Sequence, residues 1–283
     1  MTDAEQARFQ GDRWAGEMGE KWNRYLDQFE SSIETVGTAA IAAANFKAGE
    51  RVLDIGCGGG PTTLAIAEVM GPNGAVTGVD ISPALITTAR RRGAALANVE
   101  FVCADAATAD IYGAPFDVLF SRFGVMFFDD PHVAFNHIRS LVKTGGRVLF
   151  ACWGPVEDNP WITELNAVPR RYLDLPRPDP HAPGPLAFAD TAYVTDILTR
   201  AGFGDVTFTA WRGEQKLAGP GATAASAADF VMDALFIGDL LKNEPETIKR
   251  RAREDLRAIL EAHETPEGVK FAAMAWLVSA TAR

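Results

Sequence analysis

The sequence predicts an α/β fold in which a parallel sheet is covered by helices on both faces. Short apolar runs alternate with helical patterns from residue 50 onward, and turns rich in glycine and proline separate them. Hydrophobic residues make up 47% of the 283 residues, which is enough to bury a substantial core. Alternating strands and helices are typical of right-handed βαβ units, and such units build parallel sheets.

The predicted strands follow one another at regular intervals. They are residues 51–55, 75–80, 99–103, 116–121, 147–152 and 206–209. Helices are predicted between them at about 62–70, 83–97, 131–143, 160–173 and 191–201. Ser82 before Pro83 indicates a helix N-cap with proline at the first helical position. Ligands of parallel sheets bind at the carboxyl ends of the strands, so functional side chains are expected there.

Aromatic and other apolar residues recur at helical spacing in the N-terminal segment. They are Trp14, Met18, Trp22, Tyr25 and Phe29. Such a stripe either packs on the domain or covers a ligand. We assign residues 1–48 to an N-terminal helical lid.

Two further segments interrupt the alternation and are expected to form cap insertions. Eight of the sixteen prolines lie between residues 155 and 185, a density that regular structure does not tolerate. The first insertion therefore covers about 154–187. The second covers about 212–265 and has helical patterns at about 227–241 and 245–263.

Composition limits the classes of partner and compartment. The net charge of −10 repels phosphate backbones, so no nucleic-acid partner is expected. Cys57, Cys103 and Cys152 lie in or beside apolar runs, which fits a reducing compartment, and no Cys/His cluster has zinc-ligand spacing. We find no signal peptide and no apolar run that would span a bilayer. A cytoplasmic monomer or homodimer without a metal is expected.

A glycine-rich turn follows the first predicted strand. Residues 52–61 read VLDIGCGGGP, so glycines lie between a strand and a helix. Glycines allow the backbone to turn tightly and approach a ligand, and the helix N-terminus can bind a negative group. Pro61 occupies the position of the third glycine of a dinucleotide fingerprint, which disfavours a nicotinamide cofactor.

Acidic residues end three successive predicted strands. Asp54, Asp80 and Asp105 occupy these positions. An acid such as Asp80 can accept hydrogen bonds from both ribose hydroxyls of a nucleoside, and the neighbouring Ile81 offers an apolar face to adenine. Asp105 can accept from an adenine amino group. Each aspartate alone also fits a capping or loop role, but the set of three favours an adenosine site.

These segments resemble the successive motifs of the class I S-adenosylmethionine-dependent methyltransferases. The matching segments are 52–60 (VLDIGCGGG), 79–82 (VDIS), 104–106 (ADA), 116–123 (FDVLFSRF) and 141–148 (LVKTGGRV). The resemblance covers about residues 50–153, and within the family the chain is most similar to the bacterial small-molecule branch related to ubiquinone and menaquinone C-methyltransferases. It implies a Rossmann-like, three-layer αβα fold with a seven-stranded, mostly parallel sheet. Its antiparallel last strand is expected at 274–278, and residues 49–283 form the methyltransferase domain.

The resemblance also implies a role for each matching residue at the methionine end of the cofactor S-adenosylmethionine. Gly56, Cys57 and Gly58 form the turn that passes under the methionine part. Asp54 reaches the methionine amino group directly or through water, and Ser121 lies near the same part.

At the other end of the cofactor, the resemblance implies an adenosine site. Asp80 holds the ribose and Ile81 packs on adenine. Asp105 and Ala106 meet the edge of the adenine ring. The released product is S-adenosylhomocysteine.

The acceptor is expected to be a small, apolar or aromatic molecule. Trp14, Trp22, Trp153 and Trp161 are the candidates for lining its pocket. Methyl transfer requires mainly alignment, and a base is needed only where the acceptor must lose a proton.

Two residues are candidates for catalytic roles. Arg122 can bind a substrate or a carboxylate, or can form a structural salt bridge. His132, near the loop after the fourth strand, is the candidate base, and it too can be structural.

Three alternative functions remain open from the sequence. A macromolecular methyltransferase acting on RNA or protein is disfavoured by the acidic net charge. A non-catalytic protein that binds S-adenosylmethionine would keep the same motifs. A nicotinamide dehydrogenase would bind a different cofactor, which a titration distinguishes.

Overall fold

A computed structural model describes residues 11–283 of the chain. The strands are β1 (Arg51–Ile55), β2 (Ala75–Asp80), β3 (Val99–Cys103), β4 (Phe116–Arg122), β5 (Val142–Trp153), β6 (Phe203–Leu217), β7 (Glu264–Thr265) and β8 (Gly268–Ala282). In the described part of the chain they form one eight-stranded sheet with the order β3-β2-β1-β4-β5-β8-β6, and the short β7 pairs with β8.

The helices come before, between and after these strands. They are α1 (Glu17–Arg24), α2 (Leu26–Ser32), α3 (Glu34–Ala44), α4 (Pro61–Met70), α5 (Pro83–Gly93), α6 (Pro131–Ser140), α7 (Pro160–Asn166), α8 (Thr191–Arg200), α9 (Ala224–Ala234), α10 (Phe236–Leu241) and α11 (Glu246–Glu261). Residues 11–15 are also helical, and short 3₁₀ turns lie at Val125–Phe127, Val156–Asp158 and Pro169–Arg171. The predicted lid, residues 1–48, lies partly outside the described residues.

Five neighbouring strands, β3, β2, β1, β4 and β5, are parallel, and this places their carboxyl ends at one edge. β1 pairs with β2 and β4 in parallel, β2 with β3, and β4 with β5. Strands such as β1 and β4 are almost wholly buried, as expected for a sheet covered on both faces. Ser82 caps α5 by accepting a hydrogen bond from the Leu85 amide, which confirms that predicted helix start.

β8 is antiparallel to both of its long neighbours, so the predicted antiparallel last strand and the α/β fold class are confirmed. The predicted strands at 206–209 and 274–278 are much longer in the structure. β6 and β8 remain paired as far as Leu217 and Val269, whereas the pairing of β8 with β5 stops at Trp153. The outer parts of β6 and β8 therefore form a two-stranded ribbon that continues past the end of β5.

Two other predicted boundaries differ for local reasons. The helical pattern at 227–241 is divided into α9 and α10, because Leu235 has an extended backbone with φ −95° and ψ 162°. The helix predicted at 160–173 ends at Asn166, and a turn at Pro169 follows.

Candidate functional site

A large cavity opens at the carboxyl ends of the parallel strands, beneath the N-terminal helices and the ribbon. Its volume is about 460 Å³, within the usual range for small-molecule sites. The predicted site residues that line it are Trp14, Trp22, Gly56, Cys57, Gly58, Asp80, Ile81, Asp105, Ala106, Arg122, Trp153 and Trp161. The other three, Asp54, Ser121 and His132, are not among its lining residues.

The glycine turn brings backbone close to the cavity. Gly56 has φ +68°, and a Cβ placed there would lie 2.8 Å from the Gly124 Cα, so only glycine fits. Gly58 has φ +57°, and a Cβ there would meet nothing within 4 Å. The turn therefore leaves open space beside Gly58, where a ligand can approach the main chain.

Ser121 supports this turn from behind. Its Oγ donates to the Ile55 carbonyl at 2.7 Å and accepts from the Gly124 amide at 3.2 Å. The side chain is fully buried. Ser121 thus ties the end of β1 to the loop after β4 and fixes the close approach of Gly56 to Gly124.

Asp80 is held in place by the backbone. Its two carboxylate oxygens accept separately from the amides of Gly58 and Ser82, each at 2.9 Å. Burial raises the pKa of Asp80, and these two hydrogen bonds act in the opposite direction. A carboxylate so oriented, with Ile81 beside it in the lining, can accept from vicinal hydroxyls.

A second acidic position lies near Asp105. The Asp105 carboxylate accepts from the Ala107 amide at 2.9 Å, which orders the turn after β3. Asp129 also lines the cavity, and its buried Oδ1 has no hydrogen-bond partner in residues 11–283. Burial raises the pKa of Asp129. Asp129 carries little sequence signal, since a lone loop aspartate is commonly structural.

Asp54 lies behind the cavity wall. It is fully buried at the end of β1, and its Oδ2 accepts from the hydroxyls of Thr62 and Thr63 at 2.6 and 2.7 Å. Its Oδ1 has no partner among the described residues. Burial raises the pKa of Asp54 to about 6, although the two threonine hydrogen bonds and Arg122 act to lower it.

Aromatic rings from the N-terminal helices form one wall of the cavity. Trp22 stacks on Phe29 with ring centroids 3.8 Å apart and an interplanar angle of 5°. Phe29 packs edge-on against Phe230 of α9, and Trp14 packs against Trp22 and Phe127. The predicted stripe thus packs on the protein and also faces the cavity.

A second wall of the cavity consists of three rings. Phe123 stacks on Trp153 at 4.3 Å, and Trp153 packs against Trp161 at 5.3 Å. Phe123 has φ +60°, a conformation that a bulky side chain adopts only at a cost of about 1–3 kcal/mol. This backbone conformation sets the direction in which the chain continues after Arg122. Phe123 escaped the sequence prediction because positive φ cannot be inferred for a phenylalanine.

Arg122 is the one cationic side chain in the described lining of the cavity. It has no hydrogen-bond or ion-pair partner in the described part of the chain, and a Cβ on Gly37 would lie 2.8 Å from its Cδ. Desolvation lowers the pKa of the guanidinium, while the charges of Asp54, Glu30 and Glu34 oppose that effect. The guanidinium is therefore confined against α3 and lines the cavity without a partner.

Two histidines, His132 and His181, share one aromatic neighbour. The rings of His132 and His181 both pack on Tyr193, at 6.1 and 3.8 Å. His181 also lies 3.6 Å from the Asp190 carboxylate. Neither histidine is among the residues that line the cavity.

The three thiols differ in exposure. Cys57 and Cys152 are buried, and desolvation raises the pKa of both thiols. Cys103, at the end of β3, is exposed.

Residues 11–283 hold no group of three or more His, Cys, Asp or Glu side chains arranged to bind a metal. In that same range, no helix is both long and apolar enough to cross a membrane.

Residues 52–146 match a family model that is described as a methyltransferase domain. Aklanonic acid methyltransferase DauC of Streptomyces sp. (strain C5) is 36% identical over 104 residues, which are 36% of this chain and 47% of that protein. Demethylmenaquinone methyltransferase of Staphylococcus aureus (strain JH9) is 33% identical over 101 residues, which are 36% of this chain and 42% of that protein. The chain thus spans less than half the length of these relatives.

A solved structure shows the same fold over a larger part of the chain. The YcgJ protein of Bacillus subtilis aligns with a TM-score of 0.56 and 17% identity, covering 88% of this chain and 99% of that one. The resemblance predicted from the motifs is thus confirmed for residues 52–146, which match a methyltransferase domain. The likeness to the YcgJ protein shows the fold alone.

Proposed function

We propose that this protein transfers a methyl group from S-adenosylmethionine to a small acceptor with an apolar or aromatic body. The observation that carries the proposal is one cavity whose lining combines two kinds of surface. The glycine turn, Asp80 and Asp105 offer polar contacts suited to a nucleoside, and the stacked aromatic rings, which we take as the acceptor end, offer apolar ones. A nucleoside cofactor and an apolar acceptor would meet within it.

The residues present fit the cofactor. The space beside Gly58 leaves room for the methionine part along the backbone, and the Asp80 carboxylate suits the ribose hydroxyls. Ile81 offers an apolar surface for adenine. The unpartnered Oδ1 of Asp54 is an acceptor that a bound water can link to the methionine amino group.

Catalysis by this site would consist mainly of alignment. When bound, the cofactor supplies a sulfonium methyl group that is already activated for transfer. The stacked rings of Phe123 and Trp153 would orient a flat acceptor and exclude water, and positioning of this kind lowers barriers by several kcal/mol. His132 lies outside the lining residues, so we do not retain it as a base; Arg122 stays as the candidate charged group.

We further propose that the N-terminal helices and the second insertion act together as a lid. Lys21 donates to Asp239 of α10 at 2.6 Å, and Tyr25 donates to Asp233 of α9 at 3.3 Å. Leu26 packs where a Cβ on Gly59 would meet it at 2.7 Å, directly over the glycine turn. These contacts between the lid and the rest of the protein would open when S-adenosylmethionine or the acceptor enters the cavity.

Two features support a small acceptor. Both named relatives act on small molecules according to their names, aklanonic acid and demethylmenaquinone. The net charge of −10 also opposes binding of nucleic acid. A flat apolar acceptor matches the stacked aromatic walls of the cavity.

The cofactor site is tested by Asp80→Ala. Loss of two hydrogen bonds to a charged acceptor should weaken S-adenosylhomocysteine binding about 100-fold or more, measured by calorimetry. Asp117→Ala is the matched control, because Asp117 lies at the start of β4, at the opposite edge of the parallel strands, and bonds Lys143 and the Arg51 amide. Equal affinity in wild type and Asp80→Ala would contradict the ribose assignment.

The transfer itself is tested with methyl-labelled cofactor and a fractionated cell extract. The proposal expects label in a small, organic-soluble product that mass spectrometry can identify. Label recovered in RNA or protein would replace the small acceptor with a macromolecule. No incorporation in any fraction, despite intact cofactor binding, would indicate a binding protein.

A further inference from the structure

We propose that the acceptor carries a carboxylate and that Arg122 binds it. This proposal rests on the proposed function, because it concerns the acceptor end of the same cavity. It adds a charge requirement to an acceptor that the aromatic walls define only as flat and apolar.

The charges around the cavity point to an anionic group on the ligand. Arg122 is the one cationic side chain among the lining residues that the structure describes. Glu30 also lines the cavity, and its negative charge acts on Arg122. Glu30 already binds Arg92, however, at 2.7 Å. The half-buried guanidinium of Arg122 faces the cavity without a partner among the described residues, so it is available to pair with a ligand carboxylate.

The position of Arg122 favours the acceptor end. A Cβ on Gly37 would lie 2.8 Å from its Cδ and 3.1 Å from its Nη1, so the side chain extends along α3. The next residue, Phe123, stacks on Trp153 in the aromatic wall. Confinement between α3 and that wall preorganises the guanidinium, which lowers the entropic cost of binding.

Two neutral groups extend the same site. The Oε1 of Gln215 and the Nε1 of Trp161 are both buried, both side chains line the cavity, and neither atom has a partner among the described residues. Buried polar groups are usually hydrogen-bonded, so such a pair indicates a ligand or water. One is an acceptor and the other a donor, a combination that suits a hydroxyl or carbonyl group on the acceptor.

The same charges argue for a monoanion. Besides Glu30, the described lining contains Asp80, Asp105, Asp129 and Asp130, against one arginine. A phosphate with nearly two charges would remain undercompensated in apolar surroundings, whereas a carboxylate would be neutralised. The planar guanidinium also matches a carboxylate with two parallel hydrogen bonds.

The test uses acid and ester pairs of flat molecules as probes. We would titrate 3-hydroxy-2-naphthoate and anthraquinone-2-carboxylate, and the methyl ester of each, into the full-length protein saturated with S-adenosylhomocysteine. Wild type should bind at least one acid tenfold more tightly than its ester. Equal binding of both members of each pair, or no binding at all, would overturn the proposal while leaving cofactor binding and the proposed function intact.

Arg122→Met should abolish that preference, with ester affinity unchanged within about twofold. Arg200→Met, at an exposed arginine that pairs with Asp196, is the control and should keep the full preference. Arg122→Lys retains the charge and should keep part of it, which tests the idea if the methionine variant does not fold. A preference that persists in folded Arg122→Met would overturn the assignment to Arg122.

A second comparison separates the acceptor from the cofactor as the source of the carboxylate. S-adenosylhomocysteine carries an amino-acid carboxylate, and 5′-methylthioadenosine does not. The proposal expects Arg122→Met to bind both as wild type does. A loss of affinity of tenfold or more for S-adenosylhomocysteine alone would show that Arg122 binds the cofactor, and would overturn the proposal.

Discussion

The buried carboxyl of Asp54 should make the stability of the protein depend on pH in a defined direction. Burial raises its pKa from the ordinary 3.8 to about 6. Between these two values the folded state binds more protons than the unfolded state, so the free energy of unfolding falls as pH rises. Above pH 6 both states are ionised and the effect levels off.

The size of this effect follows from the same two values. One pKa unit corresponds to about 1.4 kcal/mol, so ionised Asp54 destabilises the fold at neutral pH by about 3 kcal/mol. Asp54→Asn keeps an oxygen that can accept from Thr62 and Thr63 but removes the charge. The stability of the variant relative to wild type should therefore rise by about 2.4 kcal/mol from pH 4 to pH 7.

Urea unfolding at half-unit pH steps measures this difference. Groups common to both proteins cancel, so the difference curve reports mainly on Asp54. Thr62→Val removes a hydrogen-bond donor to the ionised Asp54 carboxylate, and this should raise the Asp54 pKa further. The fall in the free energy of unfolding should therefore extend to higher pH in this variant. A flat difference curve for Asp54→Asn would refute the reasoning that burial controls this carboxyl.

Two further predictions concern the lid and the thiols. Asp239→Asn removes the negative charge that binds the half-buried Lys21. A loss of about 1 kcal/mol of contact energy in the lid should speed the release of S-adenosylhomocysteine about fivefold, which stopped-flow tryptophan fluorescence measures. An unchanged release rate would argue against a lid. N-ethylmaleimide at neutral pH should add one equivalent to the native protein, on Cys103, because buried thiols with raised pKa react poorly. Intact mass measures the adduct, Cys103→Ser should show none, and two or three adducts on native wild type would contradict the prediction.

The part of the cavity formed by the glycine turn and the strand ends was largely predictable from the sequence, because its determinants are local. A glycine turn between a buried strand and a helix fixes backbone geometry within ten residues. Parallel strands bring Asp80 and Asp105 to one edge by the regularity of the sheet. Ser121 shows the limit of such reasoning, since its hydroxyl holds Ile55 and Gly124 instead of facing the cavity.

The acceptor end was predictable only in part, because it is assembled from distant segments. Gln215 lies on the ribbon between Glu214 and Lys216. Its charged neighbours suggest an exposed segment, so the sequence does not indicate that Gln215 lines the cavity. The ribbon exists because β8 pairs along the whole of β6, an antiparallel contact that neither segment encodes alone. Trp161 was expected from its residue type, but its lack of a hydrogen-bond partner is visible only in three dimensions.

By itself, the sequence determined the class of fold and the strand ends at which Asp80 and Asp105 lie, because these depend on short-range periodicity and turn chemistry. Tertiary structure decided which side chains remain without partners. Arg122 was equally compatible with a salt bridge until the fold showed no partner for it in residues 11–283. Whether a side chain finds a partner depends on how distant segments pack, and here these segments are α3, the ribbon and the end of β4.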